Sequence, residues 1–259
     1  MSDHASGMDR QTRPAWVPED LYPFESHYDD VGGSRVHYVD EGTGPPLLLL
    51  HGNPTWSFLY RNIITGLRDR YRCVAVDHPG FGLSSPAPGY GFTPAEHAGV
   101  LEQLVERLDL SGVTMMVQDW GGPIGRRLIA NRNFFVEKAL PGGVRRVTLP
   151  EAVMNAYRGP FPTPASRRPT SIFPREILDS RPFLAEIERG LPQLSDRRAL
   201  LVWPTKDVAF REPERRRWEE LFPNHQTVLL EGAGHYMQED AADEIVTAIR
   251  DWSAQLRAT

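Results

Sequence analysis

Cysteine is almost absent from this chain. Cys73 is the single one in 259 residues, so no internal disulfide can form. It lies inside an apolar run, where a small buried core residue is the natural reading. Long hydrophobic runs are absent too. The densest, over 47–50, falls far short of the roughly 20 residues that cross a bilayer. The first 14 residues are polar and charged, without the apolar core of an export signal. These absences lead to the expectation of a cytoplasmic protein with no membrane partner. Basic residues are not in excess: Lys and Arg total 29 against 34 Asp and Glu, a net charge of −5. No nucleic-acid partner is expected on that balance. The arginine pairs and the run Arg215, Arg216, Arg217 are scattered among acids and read as solvated faces.

What is present suits one large α/β domain with an inserted element. Apolar residues make up 40% and charged residues 24%, ordinary for a globular chain of this length. The stretch that organises it is Val113-Thr-Met-Met-Val-Gln-Asp-Trp-Gly-Gly122. Residues 113–117 read as a short buried strand, and Gly121 and Gly122 permit a sharp turn into a helix. That is a strand–turn–helix elbow with Asp119 where the serine of G-x-S-x-G would stand; Val117 occupies the first small position, so the match is imperfect. Two other apolar runs end in polar turns: 47–50 in His51-Gly52-Asn53-Pro54, and 200–203 in Pro204-Thr205-Lys206-Asp207. A last strand over 227–230 runs into Glu231-Gly232-Ala233-Gly234-His235. Asp119, Asp207 and His235 then follow the nucleophile–acid–histidine order of an α/β-hydrolase triad.

The remaining elements fit around that frame. Residues 1–25 form an N-terminal extension, followed by a hairpin turning at Gly32-Gly33-Ser34. His37 reads as a strand-surface residue. A helix is expected over 57–69, a buried strand over 72–77, and a helix over 94–110. Thr93 and Glu96 stand at capping-box spacing ahead of that helix, with Pro94 at its first position. Residues 26–125 and 199–259 make the α/β-hydrolase core, a mostly parallel sheet flanked by helices. Residues 126–198 make a shortened helical cap, rich in proline and aromatics over 141–182. Helices over 212–221 and 239–256 close the chain.

An aspartate at the elbow implies chemistry different from a serine's. Its carboxylate is ionised at pH 7 and can attack a saturated carbon that carries a leaving group, giving an alkyl ester. Water activated by His235 would hydrolyse the ester, with Asp207 holding the imidazole. Backbone N–H groups near Asn53 and Trp120 would stabilise the oxyanion, at ~3 kcal/mol per donor. The Trp120 indole N–H and the Asn53 amide are donors suited to a weakly hydrated halide. Structural alternatives stand beside each role: Asp119 as a helix cap, Asp207 as a turn residue, Asn53 as a turn residue before proline, Trp120 as packing. Trp56, Phe161 and Phe173 read first as packing, with Phe161 and Phe173 also candidates to line an apolar pocket.

His51-Gly52-Asn53-Pro54-Thr55-Trp56-Ser57, Gln118-Asp119-Trp120-Gly121-Gly122-Pro123, Gly232-Ala233-Gly234-His235 and the cap stretch Ala156-Tyr157-Arg158-Gly159-Pro160-Phe161-Pro162 resemble the haloalkane dehalogenases. The resemblance implies Asp119 as nucleophile, His235 as base, Asp207 as acid, and Asn53 with Trp120 as the halide-binding pair. It implies a small apolar halogenated substrate, a halide product, and no cofactor or metal; self-association into a homo-oligomer is compatible with it. The chain also departs from that family, in which another parallel strand follows the elbow helix before the cap. Here several tens of residues are missing after the elbow. The segment 144–149 could supply a strand instead, the sheet could close with one strand fewer, or the chain could be a truncated variant with weakened activity. Two other functions remain in view. An epoxide hydrolase shares the nucleophile and base but needs a cap acid, for which Tyr157 is the lone tyrosine between 126 and 198. A hydrolase-fold protein that binds a ligand without turning it over is the other.

Overall fold

Two glycines with positive φ, Gly32 at 57° and Gly33 at 79°, turn the chain between its first two strands. A two-residue turn of this hand matches the twist of a hairpin, and glycine adopts it without steric cost. The computed structural model describes residues 13–118 and 135–257. Strand β1 (His27–Val31) pairs antiparallel with β2 (Ser34–Glu41), and β2 pairs antiparallel with β4 (Arg72–Val76). β3 (Pro46–Leu50) lies parallel between β4 and β5 (Thr114–Val117), giving the order β1-β2-β4-β3-β5. β6 (Ala199–Pro204) and β7 (His225–Leu230) form a separate parallel pair.

β3 is apolar throughout because both of its faces are covered. Leu47 and Leu49 enter the main core with Ile63 and Ile64 of α1 (Arg61–Leu67), while Leu48 packs with Val74, Val76 and the α2 (Pro94–Arg107) residues Val100 and Leu104. The capping box at Thr93 and Glu96 forms as the spacing predicts. Cys73 is buried, and burial pushes its thiol up to about 12. His37 is not on the strand surface. It is fully buried, with Nδ1 on Asp77 Oδ2 at 2.8 Å and Nε2 on Ser26 Oγ at 3.1 Å, so an internal carboxylate holds it inside.

β5 is not the fully buried strand that its sequence suggests. Met116 joins the main core, but Met115 and Val117 are 61% and 63% exposed. No described strand pairs the far edge of β5, and residues 144–149 form no strand. The same main core does receive Leu200, Val202 and Val228 from β6 and β7, so the two sheets share one interior.

The segment after α3 (Leu140–Gly143) leads into the helices α4 (Glu151–Arg158), α5 (Arg168–Asp179) and α6 (Arg181–Gly190). Two buried links tie α4 to the body. Trp56 Nε1 donates to the Ala156 carbonyl at 3.1 Å. Tyr157 donates to Glu239 on α8 (Met237–Asp240), which itself follows α7 (Glu212–Leu221) and β7 in the chain. Glu239 also takes a two-pronged pair from Arg61, at 2.6 and 2.8 Å, and the guanidinium lies 4.2 Å from the Phe58 ring centre. The closing helix expected from 239 instead begins at α9 (Ala242–Arg257), after a break at Ala241.

The Arg61 and Glu239 side chains are only 8% and 4% exposed. Replacing Glu239 with Ala would leave a buried guanidinium without its carboxylate, which costs about 3–5 kcal/mol. Urea unfolding followed by tryptophan fluorescence is expected to show a loss of that size. A loss below about 1 kcal/mol would mean that water compensates the arginine.

Candidate active site

β6 and β7 run parallel and end side by side, so their C-terminal loops meet at one edge. In open α/β sheets this is where ligands bind. Lys206 N–H donates to the Ala233 carbonyl at 2.9 Å, and Gly232 N–H to Thr205 Oγ at 2.8 Å. These bonds bring Asp207, at the end of the first loop, to His235 in the second. His235 Nδ1 stands 2.9 Å from Asp207 Oδ2, with side chains 11% and 4% exposed. A carboxylate only accepts, so Nδ1 carries the proton and Nε2 is the basic nitrogen of the neutral ring.

Asp207 is itself held from the other side. Its Oδ1 accepts the N–H groups of Ala209 at 2.7 Å and Phe210 at 3.2 Å. Burial alone would raise its pKa. The His235 hydrogen bond, the imidazole charge and the two backbone donors outweigh that, and the net shift is downward. The imidazole is framed by rings: Phe210 stacks on it at 5.8 Å, and Tyr236 meets it edge-on at 5.0 Å.

Two further loops reach this dyad. Gln118 extends β5, its N–H donating to the Leu50 carbonyl at 3.3 Å, and its Nε2 donates to the His235 carbonyl at 3.4 Å. Asn53 follows β3 and is buried. Its carbonyl accepts from the Tyr236 hydroxyl at 3.3 Å, and its Nδ2 donates to the Thr170 carbonyl of α5 at 3.4 Å. His51 stiffens that loop: its Nδ1 donates to the Gly52 carbonyl at 2.9 Å and its Nε2 accepts the His78 N–H at 3.1 Å. Burial lowers the pKa of His51, consistent with a neutral ring making one donation and one acceptance.

The structure thus brings together His235, Asp207 and the loop of Asn53. Asp119 and Trp120 lie outside the described residues. Phe161 and Phe173 are buried and pack on Phe81, at 6.0 and 5.8 Å between ring centres. Sequence reading assigned no role to His51, Gln118 or the acids of α8. The signal for His51 was a histidine at a strand end before glycine; the α8 acids had none, because their partners lie far away in the chain. Among the described residues no group of three His, Cys, Asp or Glu is arranged to hold a metal.

A model of the alpha/beta hydrolase fold matches residues 45–149. A relative from Mycobacterium tuberculosis strain H37Rv, haloalkane dehalogenase 2, is 43% identical over 88% of this chain and 95% of its own length. A cis-3-alkyl-4-alkyloxetan-2-one decarboxylase from Shewanella oneidensis is 30% identical over 91% of this chain and 90% of its own. Among solved structures, a reconstructed ancestral haloalkane dehalogenase superposes with a TM-score of 0.82 at 28% identity, covering 90% of this chain and all of the other. DbeA of Bradyrhizobium elkani gives 0.83 at 26%, covering 91% and 99%. The chain is an enzyme of the α/β-hydrolase fold. Within that fold it belongs to the haloalkane dehalogenase family. Its alignment with the mycobacterial relative spans 272 positions, more than the 259 residues available, so the relative carries residues that have no counterpart here.

The depressed Asp207 pKa makes a pH prediction. A carboxyl whose pKa is lower folded than unfolded adds stability above its unfolded value, and that contribution disappears as pH falls through the folded value. The stability difference between the wild type and Asp207→Asn is therefore expected to shrink as pH falls below about 3.9, the ordinary aspartate value. Denaturant titrations across the acid range check this; a difference that widens on acidification would contradict it.

Proposed function

We propose that this protein hydrolyses small haloalkanes to an alcohol, a halide and a proton through an ester on Asp119. The observation that carries the reading is the His235–Asp207 pair, joined by the Gln118 side chain to the end of β5, one residue before Asp119. Family membership supplies the reaction class; the residues of this chain supply the steps.

In the first step the Asp119 carboxylate attacks the halogen-bearing carbon. The C–O bond forms as the carbon–halogen bond breaks, and the halide leaves with the electron pair. Asn53 Nδ2 and Trp120 Nε1 are the donors for it. The long 3.4 Å bond from Asn53 to the Thr170 carbonyl is weak enough for a halide to replace. In the second step His235 Nε2 takes a proton from water, and the hydroxide adds to the ester carbonyl of Asp119. Asp207 stabilises the imidazolium that results. Collapse of the adduct expels the alkoxide, which takes the proton from His235 and leaves as the alcohol. The Asp119 carboxyl then ionises, releasing the net proton. Bromoalkanes and chloroalkanes of a few carbons match an apolar site under an aromatic-rich cap.

Tyr157 bears on the competing epoxide reading. It is fully buried and its hydroxyl donates to Glu239, so the lone cap tyrosine is already engaged in a structural network rather than placed to protonate a ring oxygen. The halogenated substrate is therefore preferred.

Purified protein mixed with 1,2-dibromoethane or 1-bromohexane is expected to release bromide and acid, and Asp119→Asn to abolish both. His235→Ala is expected to release about one equivalent of bromide and stop, with the alkyl mass retained on the peptide that contains Asp119. Continued turnover in Asp119→Asn would refute the nucleophile. Styrene oxide hydrolysis without bromide release would restore the epoxide reading.

A further inference from the structure

Asp240 stands at the end of α8, five residues after the base, and is nearly buried at 9% exposure. Its carboxylate collects backbone donors from two separate segments. Oδ2 accepts the Gly234 N–H at 2.7 Å and the Arg145 N–H at 2.9 Å. Oδ1 accepts the Arg146 N–H at 2.7 Å and shares that of Arg145 at 3.0 Å. Gly234 is the residue immediately before His235. Arg145 and Arg146 belong to the turn that leads into α4, over the stretch where the sequence suggested a strand.

The two segments touch. A Cβ on Gly234 would sit 2.1 Å from the Gly143 carbonyl oxygen, and a Cβ on Gly143 would sit 2.7 Å from the Tyr236 ring. Tyr236 N–H also points to the Gly143 carbonyl, at 3.4 Å. The backbone of His235 is therefore bracketed: Asp240 holds the peptide on one side, and the turn that Asp240 also holds meets it on the other. Only a carboxylate suits this place. It has acceptors on both oxygens, whereas an amide of the same shape must turn its NH₂ toward one set of N–H donors.

We infer that Asp240 is a positioning residue for His235, setting the imidazole through the Gly234 peptide and coupling it to the turn that opens the cap. This rests on the proposed function, and it assigns Asp240 to one step. Ester formation needs Asp119 and the halide donors; ester hydrolysis needs the His235 ring in register with a water. A displacement of the base on the order of 1 Å costs roughly 100-fold in rate.

The test is rapid-quench kinetics with 1-bromohexane, comparing wild type, Asp240→Asn and Glu244→Gln. Glu244 pairs with the Arg146 side chain on the exposed side of the same turn, so its loss loosens the turn without touching the carboxylate bracket. Asp240→Asn is expected to slow ester hydrolysis about 10- to 100-fold, with ester formation within about two-fold and ester accumulating, and Glu244→Gln is expected to behave as wild type. Equal slowing of both steps, no slowing, or the same split in Glu244→Gln would overturn the assignment. Should Asp240→Asn not fold, Gly143→Ala presses the same bracket from the Tyr236 side and is expected to give the same split; equal loss in both steps would count against the inference. Ring ¹⁵N shifts of His235 give a readout independent of turnover. Should the wild type release no bromide, the proposed reaction fails, while unchanged His235 ring shifts in folded Asp240→Asn would separately refute the positioning role.

Discussion

The 2.9 Å hydrogen bond from His235 to Asp207 exists because two parallel strands end level with each other. β6 and β7 are in register from Ala199 opposite His225 to Pro204 opposite Leu230, and each hands its chain to a short loop at the same edge. The loops are then bonded to one another, so Asp207 and His235 are fixed by backbone before their side chains meet. Asp207, with two backbone donors on its second oxygen, cannot swing away without losing them. The imidazole inherits that rigidity, together with a defined proton position. The Asn53 loop joins the arrangement through the Tyr236 hydroxyl on the Asn53 carbonyl, and β5 through Gln118.

Such a site is assembled in spite of a sheet divided in two. β1 to β5 form one ladder and β6 with β7 another, with no described strand between them. The exposed Met115 and Val117 mark where the division falls. Backbone pairing is thus replaced by a shared interior and by side chains that cross from one sheet to the other's loops. The clamp of Arg61, Glu239 and Tyr157 does the same for the cap. Both of the acids that hold these long-range links, Glu239 and Asp240, follow His235 within five residues. One short helix therefore carries much of the tertiary coupling around the site.

Much of this was legible in the sequence because it is local. The hairpin glycines, the capping box at Thr93, and strands that end in polar turns all express backbone preferences within a few residues. The order of Asp207 and His235 followed from the same strand-end logic. What stayed hidden depends on partners distant in the chain. His37 read as a surface residue because nothing nearby announces Asp77, 40 residues on. β5 read as buried because an apolar run says nothing about which neighbours are present to cover it. The segment 144–149 could have supplied a strand, yet the backbone N–H groups of Arg145 and Arg146 are taken by Asp240, which withdraws them from any ladder.

In the proposed reaction water attacks an ester on Asp119, and never the halogen-bearing carbon. A single turnover of 1-bromohexane in ¹⁸O-labelled water, with enzyme in excess, tests it most directly. Unlabelled 1-hexanol is expected, its oxygen coming from the carboxylate, with one ¹⁸O atom in the peptide containing Asp119. Labelled alcohol with an unlabelled peptide would mean direct displacement by water, and would contradict it.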